Sequence, residues 1–202
     1  KIVRYFMIWF AQMMETIINR VDINKDQPMK AGCYWITGLP ASGKTTMANM
    51  LTNYIKKKNK PIIQLDGDVL RNILNAKIYS LEERYLLGLK YSSLCKLIVE
   101  HDINVVIGVV GLFHNLHSWN RENIPNYCEI FLNTPLEELI SRDPKEIYKS
   151  ALKGELKNVA GIDLKVELPL TPDIEIMWTK GKSIERAFRE IVEKLENNKL
   201  II

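Results

Sequence analysis

A short glycine-containing stretch, YWITGLPASGKTTMANML at residues 34–51, limits the possible folds of this chain more than any other segment. Its first half contains the pattern G-x-x-x-x-G-K-[ST], which forms a cradle for the phosphates of a nucleoside triphosphate. The four residues that fit the pattern are Gly38, Gly43, Lys44 and Thr45. Residues 34–37 have the composition of a buried strand, and the apolar residues within 45–58 recur at helical spacing. The pattern therefore stands between a strand and a helix, as it requires, and an ordinary glycine turn is the alternative.

The loop formed by this pattern would hold a nucleotide through its backbone and two side chains. Glycine permits backbone angles that other residues avoid, and the amide groups at a helix N-terminus attract a polyanion. Lys44 would reach the β- and γ-phosphates, and the Thr45 hydroxyl would ligate Mg²⁺. The residues expected to contact the nucleotide are Gly38, Leu39, Pro40, Ala41, Ser42, Gly43, Lys44, Thr45 and Thr46.

Strand and helix patterns alternate along the rest of the chain. Further strands are predicted at residues 61–65, 104–110, 128–133 and 173–178, and helices at 69–74, 81–100, 116–123, from 135 onward and at 183–195. This alternation predicts an α/β fold, in which helices cover both faces of a parallel sheet. Ligands of such a sheet bind beyond the carboxyl ends of its strands. The polar segment 144–168 lacks a strong period and is predicted to form a mobile lid.

Residues 1–18 are apolar enough to suggest a membrane segment, but charged and polar residues interrupt them. They contain no run of apolar residues long enough to span a bilayer, and no signal-peptidase site follows. We therefore expect an amphipathic N-terminal helix and a polar linker within residues 1–28, followed at 29–202 by the domain that carries the phosphate cradle. No integral membrane span is expected.

Composition favours a small anionic ligand over a nucleic acid. The chain has 202 residues and a net charge of +4, with one short lysine run at residues 56–60 at a predicted helix end. A solvated helix terminus explains that run, because cations stabilise the carboxyl end of a helix. The three cysteines, Cys33, Cys95 and Cys128, are odd in number and lack metal-ligand spacing. A reducing, cytoplasmic location is therefore expected.

The predicted strand at 61–65 ends in Asp66-Gly67-Asp68, next to the expected phosphate cradle. Phosphoryl transfer to an alcohol requires a group that orients the hydroxyl and accepts its proton, and a carboxylate commonly serves. Asp66 and Asp68 are the candidates, with Lys44 as the third catalytic residue. The alternative is that Asp68 only caps the helix predicted at 69–74, a role that aspartate performs well.

Three segments together resemble the adenylylsulfate kinase family, over about residues 33–177. YWITGLPASGKTT resembles its first strand and loop, and LDGDVLR resembles its L-D-G-D-x-x-R segment. RDPKEIYKSALKGELKNVAGID resembles its lid, and that long match is quite specific. The resemblance implies a P-loop kinase fold with a five-stranded parallel sheet. It also implies ATP and Mg²⁺ as cofactors and phosphorylation of the 3′-hydroxyl of adenylyl sulfate.

The resemblance also implies roles for individual residues. Asp68 matches the carboxylate that faces the acceptor hydroxyl, with Asp66 beside it, and Arg71 and Arg84 match arginines that hold the substrate's anionic 5′ group. The remaining matches are Tyr79 and Val159 at the two positions that flank the substrate base, Lys157 in the lid near the phosphates, and Arg142, with Asp143, at the adenine of ATP.

The chain departs from the family pattern on the acceptor side. Three segments differ from the family pattern: Leu87 to Lys90 after Arg84, Gly111 to His114 after the third strand, and Leu164 to Glu167 after the lid's G-I-D, where three of the four residues differ. In addition, Val159 replaces a stacking phenylalanine. These departures resemble a divergent branch, the cytidine diphosphoramidate kinases of capsule biosynthesis. The expected partner is thus a small-molecule nucleotide acceptor, and a homodimer is a possible assembly.

Two other functions stay open: a kinase for another small alcohol such as a sugar acid, and a non-catalytic ATP-binding module. His114 and His117 form an H-x-x-H pair after the third strand. A metal site would need further ligands. Contact with the substrate's anionic end, or surface exposure, is favoured instead.

Overall fold

The computed structural model of the protein describes residues 31–76, 80–198 and 200, which belong to one unit, Ala31–Ile202. The predicted N-terminal helix and linker at 1–28 lie outside the described residues, and so does Tyr79. No helix in the described part of the chain is long and apolar enough to cross a membrane.

Strands and helices alternate in the order expected from the sequence. The strands are β1 Cys33–Thr37, β2 Ile62–Asp66, β3 Asn104–Val109, β4 Tyr127–Asn133 and β5 Ile174–Met177. The helices are α1 Lys44–Lys57, α2 Gly67–Ile73, α3 Leu81–Val99, α4 His114–Asn123, α5 Leu136–Arg142, α6 Ile147–Leu152 and α7 Ile184–Asn197.

All five strands are parallel and form one sheet in the order β2-β3-β1-β4-β5. The register pairs Thr37 with Val109 and Asp66 with Gly108, so β1, β2 and β3 end at the same edge. The glycine loop after β1 and the aspartates after β2 therefore meet at that edge, as the predicted five-stranded α/β fold requires. The predicted fold is confirmed.

Helices cover both faces of the sheet because successive strand residues point to opposite sides. On one face, α1 and α7 pack Leu51 and Ile191 against Ile36 of the central strand. On the other face, Tyr91 and Cys95 of α3 pack with Trp35. Full burial of each large apolar side chain contributes roughly 1.5–3 kcal/mol, so both layers hold the sheet edge in place.

A third hydrophobic cluster connects the predicted lid to the glycine loop. Tyr148 and Val159 from the lid are buried with Leu139 of α5, and Leu39 of the glycine loop packs against them. The Tyr148 hydroxyl donates to the carbonyl of Pro40 at 2.9 Å. The segment predicted as a lid thus contains a helix, α6, and a small core of its own. Its mobility stays a prediction.

Candidate active site

The glycine loop between β1 and α1 begins at Gly38, whose backbone conformation only glycine tolerates. Gly38 has φ +153°, and a Cβ there would lie 2.9 Å from the backbone oxygen of Leu132. Gly43 has φ +92° and precedes the first turn of α1. Both glycines therefore let the backbone curl tightly around the start of α1, where free amide groups favour an anion.

Lys44 lies inside this loop. Its Nζ donates to the carbonyl of Leu39 at 2.7 Å and lies 3.4 Å from Oγ of Ser42. Burial lowers the pKa of Lys44 to about 8, although the nearby charge of Asp68 opposes the shift. The lysine is thus an incompletely compensated cation at the place where the motif predicts phosphates.

Asp66 has two separate partners, one for each carboxylate oxygen. Oδ1 accepts from the backbone N–H groups of Asp68 at 2.9 Å and Val69 at 3.3 Å, which makes Asp66 the N-cap of α2. Oδ2 accepts from the Thr45 hydroxyl at 3.1 Å. The alternative that Asp68 caps the helix is therefore wrong, because α2 begins two residues earlier than predicted. The Thr45 and Asp66 oxygens are hard ligands of the kind that Mg²⁺ prefers.

Asp68 is consequently free of a structural capping role. Its Oδ2 accepts from Nζ of Lys145 at 2.7 Å, and its Oδ1 lies 3.8 Å from the guanidinium of Arg71. The hydrogen bond from Lys145 lowers the pKa of Asp68. Lys145 was not among the predicted site residues, although it stands in the RDPKEIYK segment at the start of the lid.

Arg71 and Arg84 lie close enough for their charges to interact. Burial lowers the pKa of Arg84, and repulsion from Arg71 lowers it further. Arg84 donates to the backbone oxygen of Asn158 at 3.0 Å, which joins α3 to the lid. Two guanidinium groups held together in this way favour binding of an anion.

Arg142 is the last residue of α5. Its guanidinium lies 4.1 Å from the centre of the Trp178 ring, and it also pairs with Glu138 at 3.0 Å. A guanidinium stacked on an indole forms a flat, half-buried surface. The structure thus places Arg142 on a flat surface beyond β5, the strand that precedes Trp178.

The comparisons agree with this geometry. The family model described as adenylylsulphate kinase matches residues 30–177. The chain belongs to the adenylylsulfate kinase family. Among its relatives is the cytidine diphosphoramidate kinase of Campylobacter jejuni, 35% identical over 161 residues that cover 80% of this chain and 94% of that protein. Another is the adenylyl-sulfate kinase of Thermodesulfovibrio yellowstonii, 34% identical over 189 residues that cover 89% of this chain and 92% of the relative.

A solved member of the adenylylsulfate kinase family has the same architecture. The structure of the Mycobacterium tuberculosis APS kinase in complex with AMPPNP and APS matches with a TM-score of 0.76 and 28% identity. The match covers 84% of this chain and 99% of that one. The protein is accordingly a kinase of this family.

Two lid residues for which the family resemblance implies substrate contacts differ in their burial. The Val159 side chain is only 4% exposed and packs within the lid cluster with Leu139 and Tyr148. Val159 is thus part of a packed cluster, and its contact with a substrate base stays a prediction. Lys157 is exposed, and its charge acts on Asp163.

Asp163 of the G-I-D segment was also not predicted as a site residue. Its carboxylate accepts from the backbone N–H groups of Val159 at 2.6 Å and Asn158 at 2.7 Å. These bonds lower the pKa of Asp163, the one from Val159 most. Asp163 thereby shapes the turn whose Asn158 carbonyl receives Arg84.

A short segment after β3, Gly111–His114, is one of those in which the chain departs from the family pattern on the acceptor side, and it is called the acceptor wall below. The backbone N–H of His114 donates to Glu167 at 2.7 Å, and that of Glu167 donates to the Leu112 carbonyl at 3.2 Å. The Phe113 ring meets the ring of Tyr85, the residue after Arg84, edge-to-face at 5.8 Å. The acceptor wall therefore bridges α3 and the end of the lid.

Proposed function

We propose that this kinase transfers the γ-phosphate of ATP to the ribose 3′-hydroxyl of an activated nucleotide. The observation that carries the proposal is the position of Asp68. Its charge acts on Lys44 in the glycine loop, and its carboxylate lies 3.8 Å from Arg71, whose charge reaches Arg84. One carboxylate thus stands between a donor-phosphate site and a pair of anion-binding arginines. A hydroxyl beside an anionic substituent, as in a 5′-substituted ribose, fits between them.

Each group has a definite task in this reaction. The hydroxyl oxygen bonds to the γ-phosphorus while the bond from that phosphorus to the β–γ bridging oxygen breaks, so ADP leaves. Asp68 orients the hydroxyl and accepts its proton. Asp68 is ionised at neutral pH, as a proton acceptor must be, and the hydrogen bond from Lys145 that lowers its pKa further stabilises the charged form. Lys44 offsets the charge that develops on the transferred group and on the leaving ADP.

Thr45 and Asp66 would hold Mg²⁺, since their oxygens lie 3.1 Å apart beside the loop. Asp66 can do so without releasing α2, because the capping bonds use its other oxygen. The ion would neutralise phosphate charge and link the nucleotide to the protein. Stacking of the adenine of ATP on Arg142 is part of the same proposal.

For the acceptor we propose cytidine diphosphoramidate, tested directly against adenylyl sulfate. The support is the relative in Campylobacter jejuni that carries that name, together with the altered acceptor wall. Buried Val159 gives no support to a pyrimidine preference. Relatives named adenylyl-sulfate kinase are similar to nearly the same degree, so the choice needs an experiment.

The experiment is an acceptor panel with ATP and Mg²⁺, comprising cytidine diphosphoramidate, adenylyl sulfate and a sugar acid. ADP release is measured, and products are identified by mass spectrometry. A phosphorylated nucleotide in the first or second arm supports the proposal. Product in the sugar-acid arm alone indicates a kinase of another small alcohol. ADP in no arm, with ATP still bound, indicates a non-catalytic module. Lys44→Ala is the control for contaminating kinases.

The cytoplasmic location, the homodimer and the absence of a nucleic-acid partner stay predictions from the sequence. A homodimer would be recognised by the sedimentation behaviour of the purified chain.

A further inference from the structure

His117 is buried behind the acceptor wall, which corrects the prediction that both histidines contact substrate or solvent. His117 lies in α4, and its side chain is 8% exposed. Its Nε2 lies 2.7 Å from the carbonyl oxygen of Gly111, and its Nδ1 lies 3.0 Å from Oε1 of Glu129. His114 has different partners, with Nε2 2.9 Å from the Leu168 carbonyl, so the two rings do not share a ligand.

Both partners of the His117 ring are oxygen acceptors. A carbonyl oxygen and an ionised carboxylate accept hydrogen bonds and donate none. A neutral imidazole carries one proton and could satisfy only one of them. The doubly protonated ring suits both, since Nε2–H donates to Gly111 and the positive ring forms an ion pair with Glu129 across the 3.0 Å between Nδ1 and Oε1, which do not meet in hydrogen-bond geometry.

The charges around the ring also favour the doubly protonated form. Glu129 is buried, and its Oε2 lies 3.0 Å from Arg121, whose other nitrogen lies 3.1 Å from Asp173. Two carboxylates against one guanidinium leave one negative charge in excess, and a protonated His117 balances it. Buried charges are stable only when paired. Tyr127 and Cys128 also lie among these charges. The Tyr127 hydroxyl accepts from the amide of Asn120 at 3.3 Å, and burial raises the pKa of both groups.

The Gly111 carbonyl is the link from this charge network to the active site. Gly111 begins the acceptor wall, whose later residues carry the bonds to Glu167 and the ring contact to Tyr85. Val110 precedes Gly111, and its carbonyl accepts a hydrogen bond from the Thr37 hydroxyl at 2.5 Å. Thr37 is the last residue of β1 before the glycine loop. A contact that fixes Gly111 therefore fixes the acceptor wall, while the glycine loop is held by β1.

We propose that His117, as the doubly protonated ring between Gly111 and Glu129, is a positioning residue that holds the acceptor wall and makes acceptor binding depend on pH. The proposal rests on the proposed function, because it assigns a role to the wall of that same acceptor site. His117 does not touch the reacting atoms, and it acts through the backbone of Gly111.

The direction of the pH effect follows from the geometry. Raising the pH removes one ring proton. The anionic Glu129 carboxylate favours the proton on Nδ1, so Nε2 loses its proton and its lone pair then faces the Gly111 carbonyl oxygen at 2.7 Å. The hydrogen bond to Gly111 is therefore lost. Acceptor KM should therefore rise with pH, while kcat at saturating acceptor changes less.

The test compares wild type with His117→Arg, which keeps a permanent charge, and His117→Gln, which keeps a donor without charge. The matched control is His101→Gln, because His101 is exposed, follows the C-terminal end of α3, and has its ring hydrogen-bonded to the Leu97 carbonyl at 2.8 Å. Acceptor KM at saturating ATP is measured between about pH 6 and about pH 8.5, the range around ordinary histidine titration. Binding of a non-hydrolysable ATP analogue is measured in parallel.

In wild type and in His101→Gln, acceptor KM should rise about tenfold, as expected for loss of a charge-assisted hydrogen bond. In His117→Arg the rise should be much smaller, and in His117→Gln KM should be high throughout. At each pH the ATP analogue should bind all four proteins equally. The same rise in wild type and His117→Arg would overturn the proposal.

A second measurement needs neither turnover nor variants. Amide hydrogen exchange at residues 111–114 of the wild-type chain should accelerate as nitrogen NMR shows the His117 ring losing its second proton. An exchange rate that does not change with the protonation of the ring would overturn the inference, and so would a ring that is singly protonated even at about pH 6. If no nucleotide is phosphorylated, the proposed function fails, but this measurement still decides the role of His117.

Discussion

Replacing Asp68 by asparagine should separate catalysis from folding. Asparagine keeps the shape of the side chain and removes its charge and its capacity to accept a proton. Loss of a general base commonly lowers kcat by a factor of about 10² to 10⁴. A hundredfold loss corresponds to about 2.7 kcal/mol in the barrier.

The structure indicates a much smaller effect of Asp68→Asn on stability. The capping bonds of α2 belong to Asp66, so they survive the change. The lost ion pair with Lys145 has side chains that are 58% and 66% exposed, and exposed pairs contribute about 0–1 kcal/mol. By contrast, Asp66→Ala removes the helix cap and should lower the free energy of unfolding by about 0.5–2 kcal/mol.

The assay measures kcat by coupled ADP release, ATP-analogue affinity by calorimetry and the free energy of unfolding by urea titration, for wild type, Asp68→Asn and Asp66→Ala. We expect Asp68→Asn to bind the analogue and unfold as wild type does, with kcat reduced at least about a hundredfold. Retained turnover with a clear loss of stability in Asp68→Asn would refute the assignment of Asp68 as the proton acceptor.

Three further predictions concern the surroundings of Asp68. Burial lowers the pKa of Lys44 to about 8, so affinity for an ATP analogue should fall as the pH rises through about 8; calorimetry that shows constant affinity across that range would contradict it. Lys145→Met removes the main cause that lowers the pKa of Asp68, so the acid limb of kcat/KM should move to higher pH, and an unmoved limb would mean that Lys145 does not control Asp68. Gly38→Ala brings a Cβ within 2.9 Å of the Leu132 backbone oxygen, so the affinity for an ATP analogue should drop and the free energy of unfolding should fall by roughly 1–3 kcal/mol. Calorimetric titration and urea unfolding measure the two effects. Wild-type values in both would contradict the requirement for glycine at this position.

The sheet and the donor side were predictable because their signals are local in the sequence. The strand predicted at 34–37 is observed at Cys33–Thr37, and the helix predicted at 45–58 is observed at Lys44–Lys57. Apolar periodicity and the G-x-x-x-x-G-K-[ST] pattern each lie within a few consecutive residues. Neither requires knowledge of what packs against it.

The acceptor side depended on contacts between distant segments, which sequence patterns do not reveal. Val159 is buried by Leu139 and Tyr148, so a residue predicted at the substrate belongs to the lid's core. The cap of α2 was assigned to Asp68 as an alternative because the helix start was placed two residues too late. The partners of His117 lie within β4 and in the segment after β3, and no spacing in the sequence predicts that they meet the His117 ring.

The position of the new phosphate on the product tests the central claim most directly. Cytidine diphosphoramidate and adenylyl sulfate are each incubated with ATP, Mg²⁺ and wild-type enzyme, and phosphorus–proton NMR locates the added group while kcat/KM is measured. We expect phosphate on the ribose 3′-oxygen and a kcat/KM for cytidine diphosphoramidate at least equal to that for adenylyl sulfate. Phosphate on any other oxygen would contradict the central claim. A preference for adenylyl sulfate of about a hundredfold or more, equivalent to about 2.7 kcal/mol, would contradict the proposed acceptor.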